Sequence, residues 1–416
     1  MTGSASVPSA AARPAVELGV VLAIAVAALG YFVDVFDILL YSVVRVVSLR
    51  DLGVPAAEQL STGLSLLNWQ NAGLVLGGVL FGLYGDRAGR RAVLFGSILL
   101  YSLANLANAF VGSVDAYRAC RFIAGLGLAG ELGAGVTLVA ELMPARIRGY
   151  GTAIIASMGL CGGLVAPLVA GLPWRTAYVV GAVAGLSLLI LRLAVQESGI
   201  FKALARTEVA RGKLLLLFGS RARVWRYFRA FLTGLPIWFA VGILISFAPE
   251  VGKGLGVSGP VAVPKALFMM YVGFVVGDIG SGLLSQALRS RRKVMLLDLA
   301  LLAVVVGLML GLRGMTADQY VWLCLPLGIA SGYWVLFVTA AAEQFGTNLR
   351  ATVATSLPNL VRGAIIPMGM GFKALIGPLG IRGSALAIGV ACLAVAFLAM
   401  LGTPETFDRD LDYLET

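Results

Sequence analysis

The stretch Gly82-Leu83-Tyr84-Gly85-Asp86-Arg87-Ala88-Gly89-Arg90-Arg91 lies in the short gap between two long apolar runs and holds three glycines, one carboxylate and three arginines. Glycines allow two helices to approach closely, Asp86 can face a helix N-terminus or an arginine, and arginines favour the cytoplasmic face of a membrane. The gap therefore reads as a tight polar turn between two membrane helices. Outward from it the chain stays apolar: of 416 residues, 59% are hydrophobic and 13% charged, with mean hydropathy +0.93. A soluble protein carries charge on about a quarter of its residues, so most of this chain cannot face water.

Runs of about 20 apolar residues are needed to cross a hydrocarbon core, and their backbone groups must be bonded internally, so the spans are helices. Twelve are expected, at 17–45, 61–84, 92–112, 116–141, 150–171, 176–196, 230–249, 263–288, 294–312, 319–342, 353–376 and 383–402. Basic residues gather in alternate loops: Arg87, Arg90 and Arg91; Arg146 and Arg148; Arg289, Arg291, Arg292 and Lys293; then Arg350. By the positive-inside rule these loops and both termini are cytoplasmic, in an inner or plasma membrane. The same rule accounts for the net charge of +11 without a nucleic-acid partner. The first sixteen residues read as a tail before a retained first helix. The acidic tail with Asp408, Asp410, Asp412 and Glu415 reads as a solvated end, with docking on the basic loops the alternative.

The stretch at 82–91 resembles the loop signature of the major facilitator superfamily, G-x-L-x-D-R-x-G-R-[KR], with Tyr84 the one departure. Arg121-Phe122-Ile123-Ala124-Gly125-Leu126-Gly127 is similar to the second signature, R-x-x-x-G-x-G, whose buried arginine the resemblance associates with proton coupling. The implied fold is an all-α polytopic membrane protein: twelve transmembrane helices in two pseudo-symmetric six-helix bundles. The expected division is an N-terminal bundle 1–196, a cytoplasmic basic linker 197–229, and a C-terminal bundle 230–416 with a short acidic tail. The halves echo each other in sequence, since Ala140-Glu141 and Arg148 recur as Ala342-Glu343 and Arg350 at an offset of 202. Duplicated bundles are what alternating access requires, with a site between them near the midplane. The resemblance also assigns a cytoplasmic gate built from Gly82, Asp86, Arg87, Gly89, Arg90, Arg91, Glu141, Arg148, Glu197, Glu343 and Arg350.

Charges inside a span cost about 2.5 to 3.5 kcal/mol each or more, and persist where they line a pathway or pair with one another. Asp34 and Asp37 stand three residues apart in the first helix and share a face, with Tyr41 one turn on. Two close carboxylates in low dielectric cannot both ionise readily, which makes one of them a proton carrier. The competing reading is that arginines and hydroxyls satisfy both. With no histidine in the chain, proton chemistry falls to carboxylates. Arg121 is the natural partner. Glu131, about 15 Å further along the same helix, sits at a different depth. Asp34-x-x-Asp37 is similar to the D-G-F-D element of aromatic-acid proton symporters, and Asp37 with Tyr41 to the metabolite:proton branch.

Proton-coupling residues are thus expected at Asp34, Asp37, Arg121 and Glu131, and substrate contacts at Tyr41, Arg121, Trp238, Asp278, Trp334 and Arg362. The planar fork of Arg362 suits a carboxylate, though pairing with Asp278 or with the gate is equally open. The expected function is proton-coupled symport of a small organic anion or metabolite. The alternatives are a proton antiporter exporting a drug, siderophore or metabolite, and a non-transporting sensor of the same fold. No cofactor, metal-ligand cluster or enzymatic nucleophile is expected, and Cys120, Cys161, Cys324 and Cys392 read as packing residues. The partners are a small-molecule substrate, protons and membrane lipids, with a monomer the default.

Overall fold

A computed structural model describes residues 18–88, 90–130, 148–197, 214–407 and Glu415. Its first-half helices are α1 Leu18–Asp51, α2 Gln59–Ala88, α3 Arg90–Asn108, α4 Val114–Leu128, α5 Arg148–Val165 and α6 Trp174–Glu197. A short α7, Leu214–Phe218, leads into α8 Arg221–Phe239 and α9 Ala248–Leu255, then α10 Val263–Ala287 and α11 Arg291–Gly311. The last four are α12 Ala317–Ser331, α13 Trp334–Glu343, α14 Thr347–Gly363 and α15 Ile365–Leu401. Each of the twelve expected spans overlaps a helix, and eight helical stretches among the described residues are long and apolar enough to cross a membrane.

The boundaries depart from expectation where polar residues continue a helix beyond the apolar run. α1 continues to Asp51, and α2 runs to Ala88 with α3 starting at Arg90, so nine of the ten residues at 82–91 are helical and Gly89 between them lies outside the described residues. α8 starts at Arg221, before the expected 230, and passes through a π-helical turn at Ala240–Ile245 beyond Pro236. The tenth expected span is broken between α12 and α13. The last two meet inside α15, where Gly380 takes φ 67°, a left-handed conformation that favours glycine.

Close helix pairs repeat between the halves. In the first, a Cβ on Gly73 or Gly77 of α2 would come within 2.0 or 2.3 Å of the carbonyl oxygens of Phe122 and Leu126 in α4, and one on Gly125 within 2.0 Å of Gln70 O. In the second, Gly273 and Gly277 of α10 face Leu325 O and Ile329 O of α12 at 2.1 and 2.2 Å, and Gly328 faces Met270 O at 1.9 Å. The α2 and α10 glycines are offset by 200, and their partners by 203. Where lipid tails are as apolar as leucine, backbone proximity permitted by small residues drives helix association. The duplication seen in the loops is therefore repeated in the packing. Across the halves α2 lies against α14 and α5 against α10.

Candidate functional site

Arg45, Arg121 and Arg362 are each 2% exposed or less; Arg45 and Arg362 are ion-paired with Glu250 and Asp34, and Arg121 is the opposite charge acting on Asp37. Two of those carboxylates lie on α1, as does Arg45 itself. Asp37, Tyr41 and Arg45 recur every four residues and so form one stripe along the helix. Asp34 begins the series, about 16 Å from Arg45 along the axis.

Asp37 is fully buried and packs on α6, where a Cβ on Gly181 would lie 2.5 Å from its Oδ1. Arg121 of α4 is the opposite charge acting on it, and Asn105 of α3 flanks it. Arg121 Nη1 donates to Asn105 Oδ1 at 3.3 Å. Its guanidinium lies 5.8 and 5.6 Å from the ring centroids of Tyr41 and Tyr178. Tyr41 donates to Gly63 O at 2.8 Å, tying α1 to α2. The cluster therefore stays within the first bundle.

Asp34 faces the other bundle. Its Oδ2 is 3.6 Å from Arg362 Nη1 of α14, an ion pair between the halves. Arg362 Nη2 also donates to Tyr31 OH at 3.3 Å, while Nε and Nη1 have no hydrogen-bond partner among the described residues. Aromatic rings surround this guanidinium: Trp238 at 5.4 Å, with Tyr31 and Trp334 at 6.0 Å. The glycines of α5 seat the neighbouring rings, since a Cβ on Gly159 or Gly163 would fall 2.1 Å from Tyr31 or Tyr271. The glycine-rich fifth helix thus shapes the site.

Asp34 and Asp37 stand about 60° apart around α1 and meet different arginines, Asp34 facing Arg362 and Asp37 facing Arg121. Asp278 does not pair with Arg362. It accepts the Val335 N–H at 2.9 Å and so satisfies the start of α13, where the tenth span is broken.

Sequence reasoning missed Arg45 and Glu250. At the end carrying the α1–α2 loop they form a bidentate pair, Nη1 to Oε1 at 2.7 Å and Nη2 to Oε2 at 2.8 Å. Arg45 also stacks 4.4 Å from the Phe247 ring centroid, and Ser42 and Ser246 share a hydrogen bond at 2.9 Å. These contacts close the two halves together at that end. The signal was the four-residue spacing of Arg45 from Tyr41, obscured because the expected span stopped at 45.

At the opposite end Glu343 joins Arg291, Nε to Oε2 at 2.6 Å and Nη2 to Oε1 at 2.7 Å, and accepts from Thr406 Oγ1 at 2.8 Å. The sequence marks Arg291 only as a loop charge. Partial burial of Glu405 opposes its ionisation, but Ser290 Oγ and the N–H groups of Phe407, Arg291 and Thr406 outweigh it and hold the carboxyl below its ordinary range. Glu415 accepts from Arg226 Nη2 at 2.8 Å, so this tail residue is docked and not solvated, and its anchor belongs to α8. Arg350 lies in α14. Gly82, Asp86, Arg87, Arg90, Arg91, Arg148 and Glu197 lie in α2, α3, α5 and α6, described there by backbone alone; Gly89, Glu131 and Glu141 fall outside the described residues.

The two bundles are joined by the Arg45–Glu250 pair at one end and by the buried Asp34–Arg362 pair between them. The Major Facilitator Superfamily profile matches residues 27–370, and this chain belongs to that superfamily. It is 26% identical over 366 residues to the niacin transporter NiaP of Acinetobacter baylyi, covering 78% of this chain and 80% of that one. A putative metabolite transport protein of Haemophilus influenzae is 29% identical over 415 residues, covering 92% and 96%. The crystal structure of a D-xylose-proton symporter superposes with TM-score 0.69 at 19% identity, over 94% of this chain and all of that one. That likeness extends to the fold.

Proposed function

We propose that this protein is a proton-coupled symporter of small aromatic carboxylates, working by alternating access in a bacterial inner membrane with both termini in the cytoplasm. The observation that carries the reading is Arg362: buried, ringed by Trp238, Trp334 and Tyr31, with N–H groups unused by hydrogen bonds. A planar guanidinium with free donors binds a carboxylate through two parallel bonds, and surrounding rings accept an aromatic body. The niacin transporter among the relatives supports that class of substrate.

In the empty carrier Asp34 holds Arg362 as a counter-ion; the incoming carboxylate takes over those donors. Asp37 carries the coupled proton. Its protonation removes the negative charge facing Arg121, so the two bundles rock against each other in a different charge state. Substrate drives the cycle only through unequal affinity for the two states. Under this orientation the Arg45–Glu250 end faces outward, and the described state is closed to the outside.

The test is uptake of a labelled aromatic carboxylate into proteoliposomes under an inward proton gradient. The reading predicts accumulation above equilibrium, and a loss of at least tenfold in apparent affinity in Arg362→Ala. Undiminished affinity in that variant overturns the assignment of Arg362.

A further inference from the structure

Among the indole groups of this protein, one stands apart. Trp174 Nε1 donates to Asp51 Oδ2 at 3.0 Å, and Trp69, Trp225 and Trp322 are exposed. Trp238 is 7% exposed, and its Nε1 is shut from solvent with no partner among the described residues. An indole N–H has no second way to satisfy itself, since it is a donor only. Buried donors in native proteins are nearly always paired, so one left open beside a ligand site points to a partner that arrives with the ligand.

The ring is held in place. Trp238 stands edge-on to Trp334, with centroids 5.8 Å apart and planes at 76°, one residue before α8 gives way to its π-turn. The Arg362 guanidinium carbon lies 5.4 Å from its centroid. A group bound on Arg362 therefore brings its body against Trp238.

We propose that Trp238 determines specificity: its Nε1 donates to a hydrogen-bond acceptor on the ring of the bound carboxylate, such as a hydroxyl or a ring nitrogen. This rests on the reading of Arg362 as the carboxylate receptor. The carrier then favours acids with such an acceptor over acids of the same shape without one, because only the former satisfy the indole. A site built to hydrogen-bond a ligand group rejects the analogue lacking it more strongly than it rejects a change of size.

Equilibrium binding to the purified full chain tests this, using benzoate, the 3- and 4-hydroxybenzoates, the matching methylbenzoates and pyridine-3-carboxylate. In the wild type the best acceptor-bearing acid should bind on the order of tenfold more tightly than its methyl or unsubstituted counterpart. Trp238→Phe, which keeps an aromatic ring and deletes the donor, should bring that ratio close to one. Trp322→Phe, at a ring 64% exposed on α12, should retain it. A ratio unchanged in Trp238→Phe overturns the inference while leaving the carboxylate receptor standing; equal wild-type affinities do the same. Failure of every carboxylate to bind overturns both. Should Trp238→Phe not reach the membrane, the wild-type ratio alone decides.

Discussion

Asp37 and Gly181 are in such close contact that the residue opposite the acid matters as much as the acid. Gly181→Ala would place a methyl group 2.5 Å from Asp37 Oδ1, which forces the carboxylate out of its present position. Proton-driven accumulation should fall while the variant still inserts and binds substrate; accumulation at wild-type rate would show that the position of Asp37 is immaterial. Arg45 gives a second test. Removing one partner of a buried ion pair costs about 3 kcal/mol, and here the closed state bears that cost. Glu250→Ala should therefore turn a cysteine placed at Ser42 from slow to rapid reaction with an impermeant thiol reagent added outside. Asp34, Asp37, Arg121 and Arg362 were legible in the sequence because charge in an apolar run is costly and so conspicuous. Their partners were not. The diverging directions of Asp34 and Asp37 depend on which helices surround α1, and nothing in the spacing of α1 states that.

At the scale of helices, the glycine contacts between α2 and α4 and between α10 and α12 make a prediction that separates packing from propensity. Gly125→Ala and Gly328→Ala put a methyl 2.0 and 1.9 Å from backbone oxygens, where no flexible side chain can give way. Each should destabilise the fold by about 2 kcal/mol, read as a lowered melting temperature in a thiol-independent thermal unfolding assay. Gly307→Ala, with nothing within 4 Å, should be neutral or stabilise by about 0.5 kcal/mol. Equal effects at all three positions would contradict the packing account. The existence of the helices was plain from their apolar length. Their ends were less so: α8 begins among Arg221, Arg223, Arg226 and Arg229, which looked like linker because a basic run reads as solvated until Glu415, Gln344 and Gly402 are seen to receive it.

As a whole, the molecule closes one end by Arg45–Glu250, joins its halves through Asp34–Arg362, and keeps the Asp37–Arg121 cluster inside the first bundle. Superfamily membership was readable from residues 82–91 and 121–127, whereas the closure at the α1–α2 end was not, because it joins residues 205 positions apart. On the proposed reading, substrate and proton enter together through this arrangement. Its most direct test is a trapped pH dye inside proteoliposomes, with an aromatic carboxylate added outside. The wild type should acidify the lumen and Asp37→Asn should not, while Asp37→Asn should still exchange substrate across the membrane. Alkalinisation on substrate addition, or wild-type acidification and uphill uptake by Asp37→Asn, would contradict it.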